Sequence, residues 1–164
     1  MSISLDVIIE IPAGSRNKYE YDHENHVIRL DRVLHSSVHY PTDYGFIPDT
    51  LSLDGDPLDV LVVVLDPTFP GCHVPARPLG LLRMHDEKGE DEKILAVPVG
   101  DPRFDEVQNL GDLPAHYLRE IENFFATYKL LEDKETDLYG WEDLESAMQT
   151  IEESRRRYRD SLAS

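Results

Sequence analysis

Residues 54–65 read Asp54-Gly55-Asp56-Pro57-Leu58-Asp59-Val60-Leu61-Val62-Val63-Val64-Leu65. Three carboxylates within six residues repel one another, which makes a poor folding nucleus unless cations occupy the site. Gly55 and Pro57 fix a turn, and the apolar run from Val60 to Leu65 predicts a strand buried on both faces. The carboxylates therefore stand on a rigid strand entry, and oxygen donors of this kind suit hard divalent cations such as Mg²⁺. An ordinary solvent-exposed Asp/Gly/Pro turn is the competing reading. The third Asp, directly before the apolar run, favours metal. An EF-hand is excluded, because Pro57 interrupts the loop and Leu65 stands at the twelfth position, where Glu is required.

Upstream, Ile3, Leu5, Val7, Ile9 and Ile11 alternate on one face, with Ile8 the exception. Lys18 to Asp22 alternates again, and the turn at Asp22–Asn25 leads into a strand from His26 to Asp31. Downstream, a strand through Gly80–Met84 turns at Asp86–Glu92 and returns through Lys93–Val99. Short strands at this spacing suggest a small barrel or sandwich. Near Gly100 the pattern turns helical. Asp112 is the expected N-cap of a first helix, with Pro114 in its first turn and an apolar face of Leu118, Ile121, Phe125 and Tyr128. A second helix is read from Trp141, Leu144, Met148, Ile151, Arg155, Tyr158 and Leu162. The fold class is mainly β with α (α+β), in one domain spanning 1–164.

The chain has 164 residues and a net charge of −17. Such a balance opposes nucleic-acid and anionic-membrane surfaces, which need clustered Lys and Arg. Cys72 stands alone, so neither an intrachain disulfide nor a multi-cysteine zinc site can form. The N-terminal stretch lacks a basic region and a cleavage site, and no apolar run is long enough to span a bilayer, so a cytoplasmic location is expected.

A second acidic stretch, His85 to Lys93, reads by itself as a charged hairpin tip. Asp91 and Lys93 are two apart and face the same way, as do Lys18 and Glu20. Two carboxylate–amine pairs on strand faces suit a site that holds metal ions and phosphate oxygens together. Each pair alone also fits a surface ion pair worth about 0–1 kcal/mol. His35 and His39 read as surface or packing residues, and Tyr40, Tyr44 and Tyr128 as amphipathic core residues. Phosphate-loop, dinucleotide-loop and serine-hydrolase signatures are absent.

With these residues in hand, the chain resembles the family I soluble, Mg²⁺-dependent inorganic pyrophosphatases of bacterial type. The motif Asp54–Val60 carries the resemblance. Ile9-Glu10-Ile11-Pro12, Lys18-Tyr19-Glu20, Asp31-Arg32, Tyr40-Pro41 and Tyr44-Gly45 precede it in the family's order. Asp86 to Lys93, Phe124-Phe125 and Tyr128-Lys129 follow it. The resemblance implies a five-stranded closed OB-type β-barrel flanked by two main helices. It implies metal sites at Glu10, Glu20, Asp54, Asp59, Asp86 and Asp91, with Asp54, Asp59 and Asp91 on the tightest ion. Several Mg²⁺ ions per site are implied, with Mn²⁺ or Zn²⁺ as substitutes. Lys18, Arg32, Tyr44, Lys93, Tyr128 and Lys129 would bind the phosphoryl groups of pyrophosphate. Asp56 ranks first as general base and Asp91 second. A homo-hexamer is also implied. Two rival functions stand beside this one: a metal-dependent phosphohydrolase of another small phosphate compound, and a non-catalytic acidic cation-binding scaffold.

Overall fold

In the computed structural model, which describes residues 3–163, the apolar run after the acidic turn forms β5 (Asp59–Val62). Val60, Leu61 and Val62 have no exposed surface. The chain leaves the sheet after Val62, so the strand is shorter than expected: Val63 stays buried, but Leu65 is exposed. Met1, Ser2 and Ser164 of the expected 1–164 domain lie outside the described residues.

Four further strands build the ring around it: β1 (Leu5–Ile11), β4 (Asp43–Phe46), β6 (His73–Asp86) and β7 (Gly89–Pro98). β1 pairs with β4, β4 with β5, β5 with β7 and β7 with β6, and β6 returns to β1. Five strands thus close on themselves, antiparallel everywhere except at β5–β7. This is the OB-type ring expected from the resemblance, and closure removes free sheet edges. Beyond its pairing with β1, the long β6 also carries β8 (Asp137–Glu142). β2 (Asn17–Asp22) and β3 (Val27–Val33) form a separate hairpin, which starts its second strand one residue later than expected because His26 turns at φ 55°.

Two helices follow from the same burial logic: α1 (Ala115–Thr127) and α2 (Leu144–Leu162). The ring strands bury both faces, one in each of two cores. Leu61, Leu82, Leu95 and Val97 pack with Ile121, Phe124 and Phe125 of α1. Val60, Val62, Ile94 and Ala96 pack with Ala147 and Ile151 of α2. That double burial explains why these strands read as continuous apolar runs rather than alternating ones.

Several expectations are corrected. The residue at the N-cap of α1 is Pro114, not Asp112. Asp112 instead ends the short turn Leu110–Asp112, where its carboxylate accepts from the backbone N–H groups of Gln108 and Asn109. Trp141 belongs to β8, paired opposite Leu82, and α2 begins only after Asp143 caps the N–H of Ser146. The region after Gly100 is therefore not wholly helical. Alternation along β1 ends at Ile9, where a bulge shifts the register and passes Ile11 to the other core. Among the described residues, no helix is long and apolar enough to cross a membrane.

Candidate active site

The bulge in β1 has a consequence for the site. Ile9 faces Gly45 and Ile11 faces Tyr44, which leaves Glu10 as the extra residue. Bulges re-aim a side chain out of the ladder. Here the Glu10 carboxylate reaches the hairpin and accepts the backbone N–H of Tyr21 at 2.8 Å. Gly45 permits the close approach of β1 and β4, because a Cβ there would collide with the Ile8 carbonyl.

The acidic turn is held from below by Thr50. Its buried hydroxyl donates to the Ile47 carbonyl at 2.6 Å and accepts from the Leu58 N–H at 2.9 Å. The Ser52 N–H donates to the Asp56 carbonyl, and the Asp54 carboxylate accepts the Asp56 N–H at 3.0 Å. Gly55 supplies the φ of +91° that closes this turn, a conformation L side chains rarely adopt. Asp54, Asp56 and Asp59 are thereby presented at the head of β5.

Across the parallel β5–β7 pair, Asp59 stands opposite Lys93. Lys93 is only 2% exposed, and its Nζ donates to the Tyr44 hydroxyl at 2.7 Å and to Asp59 at 3.0 Å, with Asp91 at 3.1 Å. Burial alone would lower the Lys93 pKa, but Asp59 and Asp91 outweigh it and hold the ammonium charged. Lys129, just past α1, lies 3.1 Å from Glu87 and 3.5 Å from Asp86. Lys18 and Glu20 of β2 pair at 2.7 Å, as their two-residue spacing on a strand allows.

These side chains surround one cavity of about 270 Å³. It gathers Glu10, Glu20, Asp54, Asp56, Asp59, Asp86 and Asp91 with Lys18, Tyr44, Lys93, Tyr128 and Lys129. Arg32 is not among the lining residues; its guanidinium engages Asp31 at 2.6 Å and Glu132 at 2.7 Å. The sequence reading assigned no role to four other residues of the wall. Tyr21, His23 and Phe46 pack ring against ring at 4.8–5.7 Å, and Lys88 reaches within 3.9 Å of Asp56. The position of Lys88 in the Asp86–Gly89 turn was a usable signal. Nothing in the sequence marks His23.

Seven carboxylates against four lysines leave the cavity anionic. Burial is the main cause that pushes the Glu10 carboxyl up to about 7, with Asp59 and Glu20 adding repulsion. Burial likewise raises Asp54 to about 6, with Asp91, Asp56 and Asp59 contributing. As placed, no three His, Cys, Asp or Glu side chains among the described residues form a cluster that could hold a metal ion. The donor chemistry nonetheless fits a hard divalent cation: oxygen ligands, no thiolate, and carboxylates crowded without enough ammonium groups.

Comparison with known proteins points the same way. Residues 7–159 match the family described as inorganic pyrophosphatase. An inorganic pyrophosphatase of Methanosarcina mazei is 57% identical over 93% of this chain and 90% of its own length. That of Halalkalibacterium halodurans is 56% identical over 94% of this chain and 95% of its own. The crystal structure of inorganic pyrophosphatase from Thermus thermophilus superposes with a TM-score of 0.93 at 46% identity, covering 95% of this chain and 91% of that one. A family match over nearly the whole chain, with the acidic cavity at its centre, leaves one conclusion: the chain belongs to the inorganic pyrophosphatase family.

Proposed function

We propose that this inorganic diphosphatase uses Mg²⁺ and a water nucleophile to split pyrophosphate into two phosphates. The observation that carries the reading is the charge of the cavity. Its walls are anionic and so is pyrophosphate, so only cations reconcile the two. Asp54, Asp59 and Asp91 would hold the tightest ion, with Asp59 also touching a second. Glu10, Glu20, Asp86 and Asp91 would meet ions that arrive with substrate. When bound, the ions neutralise phosphoryl charge and lower the pKa of water.

The protein's own groups do the rest. Asp56, on the exposed lip of the acidic turn, takes the proton of the attacking water, with Asp91 as the second candidate. The water oxygen bonds to one phosphorus as the bridging P–O bond breaks, and no covalent intermediate with the protein is needed. Lys93, kept charged by Asp59 and Asp91, meets developing negative charge on the phosphoryl oxygens. Lys18, Tyr44, Tyr128 and Lys129 bind and orient the same groups, and Arg32 joins them. Family resemblance supports a single-domain chain assembled as a cytoplasmic homo-hexamer, which sedimentation would detect as six times 18.8 kDa.

The test is phosphate release across a panel of small phosphate compounds, with Mg²⁺ and with a chelator. Fast release from pyrophosphate that chelation abolishes is the expected result. Equal release with chelator would remove the metal, and faster release from another phosphate ester would install a different phosphohydrolase.

A further inference from the structure

Arg32 stands apart from the other phosphate-binding candidates because its guanidinium is committed elsewhere. Its Nη1 donates to Asp31 Oδ2 at 2.6 Å, and the same oxygen lies 3.5 Å from Lys18 Nζ on the cavity wall. Asp31 is itself the extra residue of a bulge in the hairpin, since Lys18 faces Arg32 and Tyr19 faces Leu30. Arg32 Nε lies 2.7 Å from Glu132 Oε1. Glu132 has a side chain only 8% exposed and ends the short turn Leu130–Glu132, where its N–H donates to the Lys129 carbonyl at 3.0 Å. Arg32 Nε and Glu132 Oε2 are both buried without a hydrogen-bond partner. The contact is thus a charge attraction that fits neither group's hydrogen-bonding geometry well.

We propose that Glu132 is a positioning residue that parks Arg32 behind the cavity wall, and that a phosphoryl group draws Arg32 in by replacing Glu132 as its anion. This rests on the phosphate-binding role proposed above. A guanidinium fork binds two phosphate oxygens better than it binds the misaligned single oxygen that Glu132 offers. The cost of leaving a buried carboxylate is then subtracted from the gain of binding phosphate. Glu132 weakens the hold on phosphate and so hastens product release. Because Glu132 is tied to the Lys129 carbonyl, the parked state is anchored to the segment that carries Tyr128 and Lys129.

The experiment is calorimetric titration of inorganic phosphate into the Mg²⁺-loaded protein, as wild type, Glu132→Gln, Arg32→Ala and the double variant. Glu132→Gln keeps the shape and removes the charge, so phosphate affinity should rise roughly three- to tenfold. Arg32→Ala should bind more weakly than wild type, and adding Glu132→Gln to it should change nothing. Glu132→Asp, which keeps the charge but shortens the reach, should also tighten binding, by less. A merely structural role for Glu132 predicts the opposite sign, since a damaged site binds worse. Unchanged or weaker binding in Glu132→Gln, an effect that persists without Arg32, or full affinity in Arg32→Ala would each overturn the inference. In those cases the wild type still releases phosphate from pyrophosphate and the proposed function survives. A wild type that neither hydrolyses pyrophosphate nor binds phosphate would bring down both.

Discussion

Asp54 and Asp56 are two positions apart in one turn, yet their surroundings differ. Asp54 is half-buried and raised to about 6, as a ligand awaiting a cation would be; Asp56 is exposed on the lip of the cavity. Replacing Asp56 by Asn should therefore cost roughly 10²–10⁴-fold in turnover, the usual loss of a general base, while leaving Mg²⁺ affinity near wild type. Metal titration checks this, and a collapse of affinity along with rate would make Asp56 a ligand. The raised carboxyls also fix a pH dependence. Glu10 titrates near 7 and Asp54 near 6 when folded, against 4.5 and 3.8 unfolded. Between those limits the folded chain holds more protons, so the metal-free protein should lose stability as pH rises from about 4 to 7. Metal needs the ionised forms, so binding at pH 6 should release protons, and the release should fade by pH 8. Calorimetry in buffers of different ionisation enthalpy counts them. The cluster Asp54, Asp56 and Asp59 was visible in the spacing, whereas Glu10, Glu20 and Asp86 entered as metal ligands only through the family resemblance. Glu132 was not legible: it meets Arg32 only because the turn after α1 folds back onto the hairpin.

At the scale of elements, the β1–β4 pair decides where Glu10 points. The bulge needs close strands, and Gly45 provides them. Gly45→Ala should cost about 2–4 kcal/mol, because the clash is with backbone that cannot rotate away. Denaturant melts measure this directly, and wild-type stability in that variant would contradict the assigned pairing. Thr50→Val removes both hydrogen bonds under the acidic turn and should cost about 1–3 kcal/mol, with weaker Mg²⁺ binding as a second sign. The apolar stretches of the long strands could be read from the sequence because their burial leaves a pattern, but their polar ends could not: β6 begins at His73 rather than Gly80, and β7 at Gly89 rather than Lys93. β4 could not, since four residues with a buried Asp43 and a glycine carry no periodicity. Trp141 misled because its spacing to Leu144 and Met148 imitates a helix face. Pairing with β6 overrides that pattern and holds it in a strand.

The whole molecule is built on a closed ring of five strands, and seven of its 33 acidic side chains converge on one cavity. The family resemblance supplied ring closure, which alternation alone left open between a barrel and a sandwich. Its physical basis is the length of β6, which reaches both β1 and β7. The central claim is that the carboxylates at this cavity are crowded for cations and not for folding. Four melting curves test it: wild type and Asp54→Asn, each with Mg²⁺ or with NaCl at matched ionic strength. Asp54 suits the purpose better than Asp59, which balances the buried Lys93. Mg²⁺ binds only the folded arrangement and should add RT ln(1 + [L]/Kd), about 2.7 kcal/mol at a hundredfold excess over Kd. NaCl only screens charge and should add much less. Metal-free Asp54→Asn should melt no lower than metal-free wild type, because a repelling charge is gone, and it should lose most of the Mg²⁺ increment. Equal shifts from both salts, or a metal-free Asp54→Asn far less stable than wild type, would show that the acidic turn serves the fold and that the metal binds elsewhere.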